Sequence, residues 1–248
     1  MKKRIMFRYY ALKFFLQGKV SFFDFYQALL PYSWRSIKEK RRVIKKLFGN
    51  QFIVPDGGDF GFASLKQEIV DSNQYHAELI KDGAIVIDAG ANLGMFSVFV
   101  ASKYAGATIY AFEPTPATLE ALKENARYYS NIKVFGSALG EKDGMSSFVI
   151  TSDPGQNHIG EGGTPIQMKT IDSLSFSVDF IKIDTEGYEA NVLKGAAETI
   201  KRCKPIIAMS AYHKPEDKTE LPRVLNEIAP YDCKLYCDCE EVFICKPL

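Results

Sequence analysis

The stretch Val86-Ile87-Asp88-Ala89-Gly90-Ala91-Asn92-Leu93-Gly94 decides how this chain is read. Its apolar start, reaching back to Ala84 and Ile85, predicts a buried strand. Gly90 and Gly94 predict a tight turn that brings backbone close to a ligand. Met95 to Tyr104 then predicts a helix. Strand, glycine turn and helix open a parallel α/β sheet, and ligands in such sheets sit beyond the carboxyl ends of the strands, where the strand order reverses. The spacing is D-x-G-x-x-x-G, not the G-x-G-x-x-G that cradles a pyrophosphate on a helix start. A ligand without phosphates is expected, and Asp88 at the strand end suits a cation.

Downstream, short apolar runs alternate with helical ones. Strands are predicted at Thr108 to Phe112, Ile132 to Phe135, Ser147 to Ile150, Phe180 to Ile183 and Pro205 to Met209. Helices are predicted around Leu119, Leu122 and Ala126, from Glu189 to Ile200, and from about Glu220 to Ile228. Cys233 to Cys237 and Val242 to Cys245 read as a closing hairpin. Near-continuous apolar strands between helices mean a parallel sheet covered on both faces. The predicted fold is therefore α/β: a doubly wound, mostly parallel sheet with an antiparallel closing hairpin. Residues 1–75 read as a helical N-terminal extension and 76–248 as the main domain. Within the extension, Ile5, Tyr9, Leu12 and Leu16 share a helical face, and a second helix is expected from near Trp34 through the run Lys38 to Lys46. Residues 55–63 read as a linker or hairpin, and Ser64 to Ile80 as a further helix.

Composition bounds the function. The 248 residues are 46% hydrophobic and 25% charged, which excludes a disordered or collagen-like chain. No apolar run reaches the ~18 residues that span a bilayer. The start, Met1-Lys2-Lys3-Arg4, resembles the opening of a signal peptide, but Arg8 and Lys13 interrupt the apolar segment that should follow, so a cytoplasmic protein is expected. The net charge of +1 hides an asymmetry: residues 1–50 carry thirteen Lys/Arg and two Asp/Glu, which leaves −10 for the rest. Among the five cysteines, Cys237-Asp238-Cys239 lacks the turn spacing of a zinc site, and reduced thiols packed on a sheet are expected.

Glu113 stands at the end of the second strand, 25 residues after Asp88, and is followed by Pro114. A carboxylate there can accept both hydroxyls of a ribose. A glycine loop, a ribose-binding acid and no preference for phosphate together describe a site for an adenosine that carries positive charge. S-adenosylmethionine fits, because carboxylates attract its sulfonium and amino groups.

These residues also carry a resemblance. Val86 to Gly94, Phe112-Glu113-Pro114, Ser137-Ala138-Leu139-Gly140, Ile181-Lys182-Ile183-Asp184-Thr185-Glu186-Gly187-Tyr188-Glu189 and Val192-Leu193-Lys194-Gly195-Ala196 are similar to the FkbM-type methyltransferases over about residues 75–248. The resemblance implies a Rossmann-like class I fold with a seven-stranded sheet, and S-adenosylmethionine as methyl donor. It implies an acceptor hydroxyl on a sugar, glycoconjugate or related small molecule. The implied cofactor-binding residues are Asp88, Gly90, Asn92, Gly94, Glu113, Pro114, Ser137, Ala138 and Asp184. Many members carry an acid where this chain has Met209-Ser210, so any role for that acid is not carried over.

Methyl transfer to a hydroxyl needs the acceptor oxygen about 3–3.5 Å from the methyl and a group to take its proton. Asp184 and Glu186, at the end of a core strand, are candidates for that base or for orienting the acceptor. His213, in Ala211-Tyr212-His213-Lys214-Pro215, follows the next strand and competes for the role. So does His158, in the glycine-rich segment Asp153 to Gly163, which is suited to closing over an acceptor. Glu189 reads as a first-turn helix residue and His76 as structural. Asp184 and Glu186 could offer Mg²⁺ two carboxylates, but the sequence shows no third oxygen ligand beside them, so no metal is expected.

Other readings share parts of this pattern. A nicotinamide-dependent oxidoreductase would use the same sheet but lacks its G-x-G-x-x-G. A non-catalytic scaffold would not need Asp88, Glu113, Asp184 and Glu186 together. A methyltransferase fold acting on nucleic acid would use Arg41, Arg42, Lys45 and Lys46 on phosphates, though no nucleic-acid module surrounds them. The partner expected is the small-molecule or glycoconjugate acceptor. Phe7, Tyr10, Phe14, Phe15, Phe22 and Phe23 beside Lys2, Lys3, Arg4, Arg8 and Lys13 suit either a helical cap on the domain, a second subunit, or an anionic membrane surface.

Overall fold

The computed structural model describes residues 12, 13, 15–18, 43–55, 58–149, 158, 159 and 162–248. Most of the basic and aromatic face expected in the first forty residues, Trp34 and Lys38 included, lies outside the described residues, as do residues 153–157 of the glycine-rich segment.

The central sheet contains β3 (Ile85–Ala89), β4 (Thr108–Phe112), β5 (Ile132–Phe135), β10 (Phe180–Ile183), β11 (Ile206–Ser210), β12 (Tyr231–Tyr236) and β13 (Val242–Pro247). Their order is β12-β13-β11-β10-β3-β4-β5. Neighbouring strands from β11 to β5 are parallel, and β13 runs antiparallel to both β11 and β12. This is the seven-stranded, mostly parallel α/β sheet expected. The closing pair differs in one respect: β13 enters between β11 and β12, so it is an interior strand. Val242 and Cys245 are accordingly fully buried.

From β3 the chain moves outward through β4 and β5, then crosses back to β10 and β11. The order thus reverses between β3 and β10, and open α/β sheets bind their ligands over the carboxyl ends of the strands at such a point. Both faces are covered. On one, α4 (Glu189–Lys194), α5 (Ala197–Cys203) and α6 (Asp217–Ile228) pack with Ile87, Ile181, Ile183, Leu193 and Leu225 in a single cluster. On the other, α2 (Met95–Lys103) brings Phe96 and Val100 against Val86, Ile109, Phe180 and Tyr75. Between β5 and β10 the chain builds a second sheet from β6 (Ala138–Leu139), β7 (Gly144–Val149), β8 (His158–Ile159) and β9 (Thr164–Lys169), in the order β6-β9-β7-β8.

Several local expectations are corrected. Residues 43–54 are not helical but form a hairpin of β1 (Val43–Leu47) and β2 (Asn50–Val54). Phe48 and Gly49 both have positive φ, 48° and 84°, as a two-residue turn that matches strand twist demands. Asn125, on α3 (Pro116–Ala126), anchors the hairpin: its Oδ1 accepts from Ile53 N at 2.7 Å and its Nδ2 donates to Ile53 O and Leu93 O. The helix expected over Ser64 to Ile80 is instead α1 (Gly58–Leu65), a π-helical segment Lys66–Asp71 and a 3₁₀ turn Ala77–Leu79. The helix expected from Glu189 to Ile200 breaks at Gly195, where a Cβ would collide with the Gly140 carbonyl oxygen. Cys233 and Cys245 are not reduced thiols: they face one another across β12 and β13 and are joined by a disulfide. Cys203, Cys237 and Cys239 lie outside that disulfide.

Candidate active site

The glycine loop after β3 is held by backbone and by one buried lysine. Gly90 N and Ala91 N both donate to Phe112 O at the end of β4, at 3.1 and 2.9 Å. Gly90 has φ of 74°, and a Cβ there would collide with the Asp184 carbonyl oxygen, so only glycine lets the loop lie against the end of β10. Asn92, at φ of 50°, and Gly94, at 83°, continue the turn into α2. Lys182 Nζ donates to Gly90 O at 2.7 Å and lies 3.0 Å from Asp88 Oδ1. Asp88 Oδ2 accepts from Ser97 Oγ at 2.6 Å. Asp88 is thus enclosed beneath the loop, its charge matched by Lys182, and it holds the loop instead of facing the crevice. Burial alone would pull the Lys182 ammonium down, but Asp88 and then Asp184 outweigh it and hold it above lysine's usual value.

Glu113 does reach the loop. Its Oε2 accepts from Asn92 N at 3.0 Å, and its Oε1 from Thr115 N and Thr118 Oγ1. Each carboxylate oxygen has two acceptor positions, so Oε2 keeps one for a further hydrogen-bond donor. Half-buried Pro114 leads into α3 beside it. Ser137 and Ala138, beyond β5, are buried, and Ser137 Oγ makes no hydrogen bond among the described residues. A buried hydroxyl left unmatched in the protein fits a site completed by a polar ligand.

Beside the loop, the ends of β10 and β11 assemble a charged cluster. Asp184 Oδ2 accepts from Tyr75 Oη at 2.9 Å, and Oδ1 from Tyr212 Oη at 3.2 Å. His213 Nε2 stands 3.6 Å from Asp184 Oδ1 and 3.4 Å from Glu186 Oε2, while its Nδ1 is 3.1 Å from Glu189 Oε1. Glu189 is where expected, in the first turn of α4, and its Oε1 also accepts from Thr185 N, Thr185 Oγ1 and Gly187 N. That closes the turn which carries Glu186 at φ of 54° and leaves its side chain 40% exposed. His213 is fixed by the loop that follows β11, where Ala211 N donates to Glu241 O and Lys214 N to Asp217 Oδ2.

The electrostatics separate these groups. Burial would raise the Asp184 carboxyl, but Lys182 and His213, helped by Tyr75 and Ser210, hold it below the usual range. Burial pushes Glu186 up to about 7, with Asp184 and Glu189 adding to it and His213 opposing. Burial would lower His213, but its contact with Glu189 and the charges of Asp184 and Glu186 raise it to about 9. At neutral pH the cluster therefore holds a fixed anion at Asp184, a cation at His213 and a carboxyl near balance at Glu186. Glu68, in the π-helical segment, is likewise raised by burial to about 7, against the lowering bond from Ser64, and it feels the charges of Glu240 and Asp184. Among the described residues, Asp184, Glu189 and His213 also bring three metal-type donors within 4.8 Å. His213 would have to lose its proton before it could ligate an ion.

The structure thus brings together Asp184, Glu186 and His213, and places Gly90, Asn92, Gly94, Glu113, Pro114, Ser137 and Ala138 around the loop ends. The backbone of His158 lies in β8, and its side chain is outside the described residues. His76 sits apart, against Glu78 and the Tyr236 ring. Sequence reasoning missed Tyr75, Lys182 and Tyr212. Only Lys182 had a local signal, a charge inside the apolar run Phe180 to Ile183.

Comparison with known proteins agrees with this geometry. The profile of the methyltransferase FkbM domain matches residues 88–236. "Methyltransferase 1" of Beauveria bassiana is 27% identical over 163 residues, 53% of this chain and 66% of that protein. "Hexuronic acid methyltransferase AglP" of Haloferax volcanii is 28% identical over 154 residues, 58% of this chain and 63% of that protein. The crystal structure of methyltransferase FkbM from Methylobacillus flagellatus superposes with a TM-score of 0.54 at 23% identity, covering 76% of this chain and 54% of that one. The chain therefore spans two thirds or less of each of these relatives. No helix among the described residues is long and apolar enough to cross a membrane. With well over half of its length matched by the family profile, and with the glycine loop and sheet order in place, the chain belongs to the FkbM methyltransferase family.

Proposed function

We propose that the protein transfers a methyl group from S-adenosylmethionine to a hydroxyl of a sugar or glycoconjugate. The observation that carries this reading is the packing of Gly90 directly against the Asp184 carbonyl, which sets the nucleoside loop beside the carboxylate cluster. Gly90, Asn92 and Gly94 would admit the cofactor against bare backbone, Glu113 would take its ribose, and Ser137 would meet a polar edge. When bound, the cofactor supplies an electrophilic methyl on a sulfonium. The unmatched Ser137 hydroxyl and the spare acceptor position of Glu113 fit such a group.

The protein's own residues then have separable tasks. Asp184, ionised and held by two tyrosine hydroxyls, provides a fixed negative charge near the sulfonium. Glu186, solvent-facing and close to balance at pH 7, takes the proton of the acceptor hydroxyl. A base whose pKa lies near the working pH combines the correct protonation state with adequate strength, and such transfer contributes typically ~10²–10⁴-fold. His213, already protonated, is a poor base and instead holds Asp184, Glu186 and Glu189 in register. A sugar acceptor is supported by the similarity to the hexuronic acid methyltransferase and by carboxylates suited to hydroxyl donors.

The test is calorimetry with S-adenosylhomocysteine, followed by transfer of labelled methyl from S-adenosylmethionine to neutral sugars, uronic acids and their nucleotide-linked forms. Stoichiometric binding and label in one sugar class are expected, with Glu186→Gln lowering kcat at least tenfold while the Kd for S-adenosylhomocysteine holds. No binding of that nucleoside would remove the proposal.

A further inference from the structure

The family match begins at residue 88, yet the charged cluster is completed by a side chain from ahead of it. Tyr75 is 1% exposed and packs edge-on against Phe96, with ring centroids 5.6 Å apart. Its ring lies under Lys182 Nζ, 5.4 Å away. Its hydroxyl stands between Asp184 Oδ2, at 2.9 Å, and Ser210 Oγ, at 3.4 Å. A phenol has one proton to donate. That proton points at the ionised carboxylate, and Ser210 Oγ lies beside the phenol oxygen. Tyr212 donates to the other oxygen, Oδ1, so Asp184 is gripped by two hydroxyls from segments far apart in sequence. A hydrogen bond to an ionised acceptor is roughly twice as strong as one between neutral groups.

We propose that Tyr75 is a positioning residue: its hydroxyl sets the direction of the Asp184 carboxylate, so that the charge faces the cationic centre of the bound cofactor. This rests on the cofactor reading above and adds to it a residue from outside the matched domain. Rigid packing of the ring on Phe96 and Lys182 fixes the hydroxyl, and the hydroxyl fixes the carboxylate. Loss of the hydroxyl alone leaves the ring packing intact and frees Asp184 to turn toward Lys182.

The test compares two ligands that differ in charge where the methyl sits. S-adenosylhomocysteine is neutral there; sinefungin carries an ammonium group. Calorimetry on the wild type, Tyr75→Phe, Asp184→Asn and the double variant separates the effects. The wild type should bind sinefungin more tightly. Tyr75→Phe should weaken sinefungin about five- to tenfold and S-adenosylhomocysteine less than twofold, and in the Asp184→Asn background it should do nothing further. Equal effects on both ligands, no effect on either, or an undiminished effect without the Asp184 charge would each overturn the inference. A second readout is the ¹³C titration of the Asp184 carboxyl, whose midpoint should rise in Tyr75→Phe; an unchanged midpoint overturns the inference even if the protein binds neither nucleoside, a result that counts against the cofactor reading by itself. Should the phenylalanine variant not fold, 3-fluorotyrosine in place of Tyr75 gives a stronger donor of nearly the same size. The midpoint should then fall, and a static one again overturns the inference.

Discussion

Lys182 and Asp88 are register partners on the adjacent parallel strands β10 and β3, with the ammonium 3.0 Å from the carboxylate and both side chains buried. The pair ties the two strands on either side of the reversal in sheet order, and through Gly90 O it also ties the glycine loop. Removing one partner leaves a buried, unmatched charge, which costs about 3–5 kcal/mol. Lys182→Met should therefore lower unfolding free energy by that amount in denaturant titrations. Lys182→Met combined with Asp88→Leu should recover much of it. A double variant as unstable as the single would show that the charge pair is not the cause.

Ser137 Oγ gives a prediction of opposite sign for folding and binding. The hydroxyl is buried without a partner among the described residues, so Ser137→Ala removes an unmet polar group. Unfolding free energy should hold or rise by up to about 1 kcal/mol. Affinity for S-adenosylhomocysteine should fall about three- to tenfold. Unchanged affinity would take Ser137 out of the cofactor site.

His213 makes stability depend on pH. Its pKa is raised in the folded protein from 6.5 to about 9, so its contribution is complete below pH 6.5 and is lost as pH climbs through 9. Glu186 is raised from 4.5 to about 7, so the folded state favours its neutral form and its contribution is lost between those values. Both act in the same direction, and stability should decline from about pH 4.5 to 9. His213→Asn should cost on the order of 2 kcal/mol at pH 6, a Tm drop of about 4–8 °C, and little at pH 9.5. Differential scanning calorimetry of both proteins at the two pH values checks this. A constant gap in Tm would mean that the imidazole contributes by packing alone.

The disulfide predicts a thiol count. Cys233 and Cys245 are joined, and Cys203, Cys237 and Cys239 lie outside the bridge. Alkylation in denaturant without reductant should modify three cysteines by mass spectrometry, and all five after reduction. Closing a short loop of this kind stabilises by about 3 kcal/mol in the chain-entropy model, so reductant should also lower Tm. Five modified thiols in unreduced protein would contradict the pairing.

How much was legible in sequence differs element by element. The strand over Val86 to Ala89 and the turn at Gly90 could be read locally, because both faces of a central parallel strand are buried and a left-handed turn needs glycine. The basic run ending at Lys46 satisfies helical propensity and so predicts helix, whereas Val43–Leu47 is a strand of a hairpin whose turn carries positive φ at Phe48 and Gly49. The need for glycine at the Gly195 break is invisible locally, since what a Cβ would meet there is the carbonyl of Gly140, 55 residues earlier.

The sequence by itself determined the α/β sheet, the glycine turn and the strand-end positions of Glu113, Asp184 and Glu186, because apolar periodicity and backbone freedom are properties of neighbouring residues. Only the tertiary structure decided what those side chains do. Asp88, expected to face a cationic ligand, is neutralised by Lys182 from the next strand. His213, expected as a base, is made a cation by Glu189 and Asp184. Asp184 is aimed by Tyr75, which lies 109 residues away. Coulomb energy and hydrogen bonding act through distance and burial, and those are set when strands β3, β10 and β11 come to lie side by side.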